Sequence, residues 1–204
     1  MKKNYLTIKS LKTPFIKYGF FTRAGGYSKK NYSSLNCSLS NGDSKKNVNK
    51  NINKAMKELN LSNKKLKFIK QTHSSKIIKV NINNFNTKHV ADGLITSSDD
   101  IALAVLTADC TPIFLFNIRQ KFICCLHSGW KGALKNISKK AVTFFNKNNI
   151  KNSEIVAIIG PCLSAKNFEV DLNFKKKFIQ QNSVYANFFK PKNKTKEYFN
   201  MRGL

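Results

Sequence analysis

The sequence predicts an α/β domain built on a central sheet, and three observations carry that prediction. Residues 101–106, 112–116 and 122–126 are continuous apolar runs of strand length, as strands covered on both faces require. Apolar residues recur at helical spacing in two other segments: Val48, Ile52, Ala55, Met56 and Leu59, then Ala133, Leu134, Ile137, Ala141, Val142 and Phe145. A length of 204 residues, with no internal repeat and no long low-complexity linker, suits a single domain over 1–204.

From the N-terminus, the aromatic run 15–21 reads as a strand ending at Thr22-Arg23-Ala24-Gly25-Gly26, where paired glycines permit a tight turn. That strand delivers Arg23 to a loop. Asp43 or Ser44 is placed to cap the first helix. Short strands at 66–70 and 76–80 flank the polar insert Gln71-Thr72-His73-Ser74-Ser75. The three apolar runs make the core sheet, and Asn117 to Lys121 is short and polar enough to join the second and third as a hairpin. The helix after Trp130 packs on this sheet. Residues 154–159 read as another buried strand, ending at Gly160-Pro161-Cys162, and 190–196 as an exposed loop.

Composition narrows the function classes. Apolar residues at 41% exclude wholesale disorder. The chain carries 37 Lys and Arg against 10 Asp and Glu, a formal charge of +27 that ordinarily suggests nucleic acid or an anionic surface. Yet only Arg23, Arg119 and Arg202 are arginine, whereas base readout and bidentate phosphate clamping favour the arginine fork. The lysines are spread along the chain among asparagines, so the charge reads as compositional bias and a nucleic-acid-binding module as the alternative class. No run reaches the roughly 18 apolar residues of a membrane helix, and the basic N-terminus lacks an apolar signal core. A cytoplasmic protein without a membrane partner is expected. The five cysteines, Cys37, Cys110, Cys124, Cys125 and Cys162, are odd in number and widely spaced, which fits reduced thiols.

Three polar stretches interrupt the apolar framework at strand ends: Gln71-Thr72-His73-Ser74, Thr107-Ala108-Asp109-Cys110 and His127-Ser128-Gly129-Trp130-Lys131-Gly132. Strand ends hold functional groups rigidly while leaving them accessible. His73, Cys110 and His127 would supply three ligands and leave one position open, as in a catalytic zinc site; copper takes the same ligand types. Residue types alone leave other readings open. His73 can bond its backbone surroundings, Cys110 can be a small buried hydrophobe, and His127 can cap the following helix. Cys110 with His127 also reads as a metal-free thiolate–imidazole pair of a hydrolase, and Cys162 after Gly-Pro as a further candidate nucleophile.

The strings QTHSS, ADGLIT, LTADCTPIFLF, HSGWKG and IGPC followed by FEVD, in this order, closely resemble the laccase-domain family of polyphenol oxidoreductase, YfiH-like proteins. FTRAGGYS and SLNCSLSNGD are similar to that family's N-terminal motif, so the resemblance covers residues 20 to about 171. It implies a layered α/β sandwich with a mixed central sheet. It also implies a zinc-dependent purine nucleoside phosphorylase that takes adenosine, inosine and S-methyl-5′-thioadenosine with phosphate, has adenosine deaminase side activity, and binds zinc through His73, Cys110 and His127. Polyphenol oxidation with copper is the older reading of the same family.

That chemistry sets physical requirements. Phosphorolysis needs a phosphate held at the ribose and charge stabilisation in the transition state. Arg23, beside Gly25 and Gly26, is the candidate phosphate ligand, with a surface arginine in a turn as its plain alternative. The helix start after Gly129 and Lys131 offers further positive charge. Deamination needs an activated water and a proton shuttle, for which Asp109 and Asp92 are the local carboxylates; either can instead orient a ligating histidine. Gln71 and Asn36 are candidates to hold substrate or to form turns. Members of the family continue beyond the position reached at Tyr198-Phe-Asn-Met-Arg-Gly-Leu204, so the C-terminal part of the fold is expected to be shortened.

Overall fold

A computed structural model describes residues 4–8, 11, 15–117, 119 and 122–204 of the chain. It has two compact units: the first runs to Leu66 and takes in Asp99–Ala102, and the second holds Lys67–Ser98 and Leu103–Leu204.

In the first unit, β1 (Tyr5–Leu6) pairs antiparallel with β2 (Phe20–Phe21). The strand expected over 15–21 is realised only at those last two residues, because a ladder reaches no further than its partner. Gly25 adopts φ +82°, the left-handed turn that its place after Arg23 requires. α1 (Lys45–Glu58) follows the predicted spacing, with Val48 and Met56 buried. Asn51 breaks the polar/apolar pattern of this helix: it is fully buried. Its side-chain amide donates to Ser28 Oγ, Ser34 O and Asn36 O and accepts from Tyr27 N, so the buried group is fully satisfied and holds the loop 27–36. β3 (Lys65–Lys67) closes this stretch, and Lys65 N donates to Asp100 O at 2.8 Å.

The second unit contains a five-stranded mixed sheet. β4 (Ile77–Lys79) runs parallel to β5 (Gly93–Thr96). β6 (Ile101–Leu103) is not part of that sheet; β7 (Thr111–Asn117), β8 (Phe122–Ser128) and the edge strand β9 (Val156–Ile159) complete it in the order β4-β5-β8-β7-β9. The run 101–106 is therefore a strand for half its length and lies outside the core sheet. Beyond it the backbone turns away, Ala104 N bonding Lys67 O. β7 and β8 pair antiparallel along their whole length and are buried almost throughout, as continuous apolar runs demand. Of the hairpin connection expected between them, residues 118, 120 and 121 lie outside the described residues.

Two helices follow instead of one: α2 (Trp130–Leu134) and α3 (Ile137–Lys147), separated by Asn136 at φ 56°, ψ 47°. Asparagine is among the few residues that tolerate this left-handed conformation, and it redirects the chain so that Ile137, Ala141 and Phe145 pack on the sheet. β9 is an edge strand with only Ile158 buried, not the buried strand expected over 154–159. The chain then forms β10 (Glu169–Asp171), α4 (Leu172–Ile179), β11 (Phe189–Pro191) and β12 (Lys196–Phe199). Asp171 caps α4 by accepting from Phe174 N at 2.7 Å. The exposed loop expected at 190–196 is the turn of the β11–β12 hairpin, and β12 also pairs with β10. Among the described residues no helix is long and apolar enough to cross a membrane.

Candidate metal centre

The second unit brings together three loops from the ends of its strands. Asp92, at the entrance to β5, has no exposed surface. Its carboxylate accepts from the backbone N–H groups of Thr72, His73 at 3.0 Å and Ser74 at 2.6 Å, and from Ser74 Oγ at 2.7 Å. His73 sits at φ 57°, a conformation costing about 1–2 kcal/mol for a residue with a Cβ. The cost is offset because that bend aims successive N–H groups at one anion, the geometry of a backbone nest. Burial pushes the Asp92 carboxyl up, but the Ser74 and His127 side chains and the backbone donors outweigh it and hold it below the ordinary value. Asp92 is thus an anion.

Its remaining partner is His127 on β8, whose Nδ1 lies 2.8 Å from Asp92 Oδ1. Burial lowers the His127 imidazole below its ordinary value, and the charge of His73 adds to this against the opposing pull of Asp92. A neutral ring beside an acceptor-only carboxylate carries its proton on Nδ1, leaving the Nε2 lone pair free.

Cys110 precedes β7. Its Sγ lies 3.7 Å from His73 Nε2, and the two imidazoles meet edge-on with centroids 4.8 Å apart. One ligand atom from each of His73, Cys110 and His127 falls within 4.8 Å of the others. Tetrahedral zinc with bonds of roughly 2.3 Å to sulfur and 2.0–2.1 Å to nitrogen sets such S···N pairs about 3.5 Å apart, close to the 3.7 Å between Cys110 and His73, while the set as a whole extends to 4.8 Å. Burial raises the Cys110 thiol above its ordinary value, and the negative charges of Asp109, Asp92 and Cys162 raise it further. A thiol surrounded by negative charge is the reverse of an activated nucleophile. A cation supplies what this donor set lacks, so the residues fit a divalent metal.

Two supports of this arrangement escaped the sequence reading. A Cβ on Gly129 would lie 2.6 Å from His73 Cδ2 and 3.0 Å from Cys110 Sγ, so only glycine lets the two ligands approach. Gln71 is held by a reciprocal pair of bonds: its Nε2 donates to Leu106 O and its Oε1 accepts from Leu106 N, both at 2.8 Å. That pair staples the His73 loop to the segment leading to Cys110. Asp109 is exposed, with its carbonyl accepting from Leu163 N. Lys131 lies over the Trp130 ring, 5.4 Å from its centroid.

Arg23 and Asn36 belong to the first unit. The exposed Arg23 guanidinium donates to Ser33 O through Nε and Nη2. The Asn36 amide is engaged locally, donating to Asp43 Oδ2 and Asn41 Oδ1 and accepting from Ser38 N.

Comparison with known proteins follows the same lines. The chain is 32% identical over 162 residues to a Bacillus subtilis protein named purine nucleoside phosphorylase YlmD, an alignment that covers 75% of this chain and 58% of that protein. A solved structure, Neisseria meningitidis protein NMB0706, matches its fold with a TM-score of 0.87 at 24% identity, covering 98% of this chain and 80% of that one. The Bacillus licheniformis hypothetical protein YfiH matches with a TM-score of 0.80 at 26% identity, over 91% of this chain and 73% of that one. The chain thus spans a little over half the length of the B. subtilis relative. Residues 17–204 match the family described as multi-copper polyphenol oxidoreductase laccase, and the chain belongs to that family.

Proposed function

We propose that the chain carries the metal centre of a zinc-dependent purine nucleoside phosphorylase acting on adenosine, inosine and S-methyl-5′-thioadenosine, with adenosine deaminase side activity. The observation that carries the reading is the convergence of His73, Cys110 and His127 within 4.8 Å. The name of the B. subtilis relative supports it. Zinc bound by these three residues would supply a Lewis acid with one open position, able to activate water near neutrality.

The chain's own residues have separable tasks. Asp92 holds the His127 proton on Nδ1 and so presents Nε2 as a ligand, while the same carboxylate shapes the His73 loop. Asp92 is therefore a positioning residue, and the exposed Asp109 is the proposed proton shuttle. Arg23 is proposed as the phosphate ligand on its own chemistry: with Nε and Nη2 on Ser33 O, Nη1 is left to meet an oxyanion. Asn36 and Gln71 act through the turns and loops they tie. Copper suits the same ligands, and the family description carries a polyphenol oxidation reading.

Metal analysis of the purified chain, run beside adenosine turnover with and without phosphate, tests the proposal. Zinc near one equivalent and adenine release that requires phosphate are expected. Inosine formation reports the deaminase activity. Phenol oxidation by a copper-loaded protein, without base release, would replace the reading. Tight RNA binding with a steep salt dependence and no metal would favour the basic binding module.

A further inference from the structure

Cys162 has no part in the chemistry above, yet the fold sets it opposite a proposed ligand. β7 and β9 pair in antiparallel register, Phe116 facing Val156 and Ile113 facing Ile159. Continued one residue at a time past Ile113, that register sets Pro112 against Gly160, Thr111 against Pro161, Cys110 against Cys162 and Asp109 against Leu163. Two backbone bonds hold the segments together past the sheet: Gly160 N donates to Pro112 O and Leu163 N to Asp109 O, both at 2.9 Å. They stand three residues apart on each segment, where a regular antiparallel ladder bonds every second pair, so the pairing departs from the regular ladder between them. Cys110 and Cys162 lie inside this bracket, each next to the Asp109–Leu163 bond. Directly opposed residues of an antiparallel pair have Cα atoms about 4.5–5.5 Å apart, inside the roughly 4.4–6.8 Å of a disulfide. Both thiols are free and half-buried. Cys124 and Cys125 are buried within β8.

We propose that Cys110 and Cys162 form a reversible disulfide that competes with metal binding, with Cys110 as the resolving thiol. The oxidant is a low-molecular-weight disulfide. The Cys162 thiolate attacks one of its sulfurs and releases the first small thiol. The Cys110 thiolate then attacks the Cys162 sulfur of the mixed disulfide, closing the Cys110–Cys162 bond and releasing the second. The two cysteines lose two electrons and two protons, and the small disulfide gains both. Sulfur in that bond has no thiolate to offer a metal, and a thiolate held by metal is withheld from attack. The pairing stands on the two backbone bonds that bracket the cysteines; its consequence for the metal rests on the three-ligand reading above.

The test uses the full chain, stripped of metal by chelation or loaded with zinc, and exposed to oxidised glutathione. After alkylation, unreduced digests are mapped by mass spectrometry. A linked Cys110–Cys162 peptide pair is expected in the stripped protein and about tenfold less of it in the loaded one. The oxidised protein should take up zinc only after reduction, and Cys110→Ser should show glutathione on Cys162 in place of the link. Absence of the linked pair from stripped protein, or a link from Cys110 to another cysteine, overturns the pairing even where zinc binds. A linked pair that forms equally in both samples overturns the competition, and if neither sample takes up zinc the three-ligand reading falls with it.

Discussion

The second unit holds two apolar clusters built from different materials. One lies between the five-stranded sheet and α3 and is mainly aliphatic, with Ile95, Ile113, Leu115, Leu126, Ile137 and Ile150 around Phe122 and Phe145. The other gathers around the β10-β12-β11 sheet and α4 and is mainly aromatic, Phe178, Phe189 and Phe199 being flanked by Trp130, Phe168, Phe174 and Phe188. Strands of seven residues bury enough surface with branched aliphatic side chains. Strands of three or four do not, and a ring supplies more buried area per position. Phe189 and Phe199 stack at 4.8 Å, and Phe178 meets Phe199 at 5.0 Å. The candidate metal centre draws on both clusters. His127 hangs from β8 of the first, while Trp130, which opens α2, and Cys162, which follows β9, pack into the second.

If both clusters clamp the site as one cooperative unit, they should fail together, and truncating either gives the largest effect expected. Phe145 and Phe178 are fully buried, and Phe→Ala at each should cost about 3–5 kcal/mol. Trp130 is the one tryptophan of the chain and lies 5.0 Å from the Phe174 ring and 6.0 Å from that of Phe178, so its fluorescence reports the aromatic cluster. Far-ultraviolet circular dichroism reports both. Urea titrations followed by the two signals should coincide in each variant. A fluorescence transition that runs ahead of the dichroism would split the clusters into separate folding units.

The same contrast explains what the sequence made legible. The aliphatic cluster was readable because its residues stand in unbroken runs or at helical spacing within single elements. The aromatic one was not: Phe168, Phe174, Phe178, Phe188, Phe189 and Phe199 are scattered among lysines and asparagines over short elements, and no window shows a period. At the site, His73, Cys110 and His127 were legible from their placement at strand ends and the order of their motifs. Gly129, the Gln71–Leu106 staple and the nest around Asp92 were not, because each exists only through an approach between segments distant in the chain. Asn136 shows the limit of periodicity from the other side. The apolar spacing runs smoothly through it, and only its backbone conformation splits the helix.

Asp92→Asn tests the support of the aliphatic side next. The amide keeps the shape but loses the charge that His127 and the 72–74 loop require. Zinc affinity should fall roughly 10–100-fold, as for loss of other outer partners of ligating histidines, or about 1.4–2.7 kcal/mol. Competition against a chromophoric chelator measures it. Unchanged affinity would remove Asp92 from the positioning role.

Gly129→Ala probes the point where the two sides meet. A methyl 2.6 Å from His73 Cδ2 must drive the ligand loops apart, and overpacking of this kind costs about 1–3 kcal/mol. If the strain is taken up at the ligands, zinc affinity drops while the melting temperature of the stripped protein barely moves. The opposite split, lower stability with intact affinity, would place the strain in the aromatic cluster through Trp130.

The smallest effect belongs to the rim of the aromatic side, where Lys192 and Lys196 both donate to Glu169. Their hydrogen bonds hold the Glu169 carboxyl below its ordinary value of 4.5. A carboxyl that is more acidic in the folded state stabilises the fold above its unfolded value and loses that contribution as pH falls through its folded one. Glu169→Gln should therefore lower the melting temperature slightly at pH 7, and the difference should shrink once the pH is taken well below 4.5. These groups are exposed, so added salt should shrink it too. A difference that survives both acid and salt would show that Glu169 holds the β10–β12 edge by packing of its stem and not by charge.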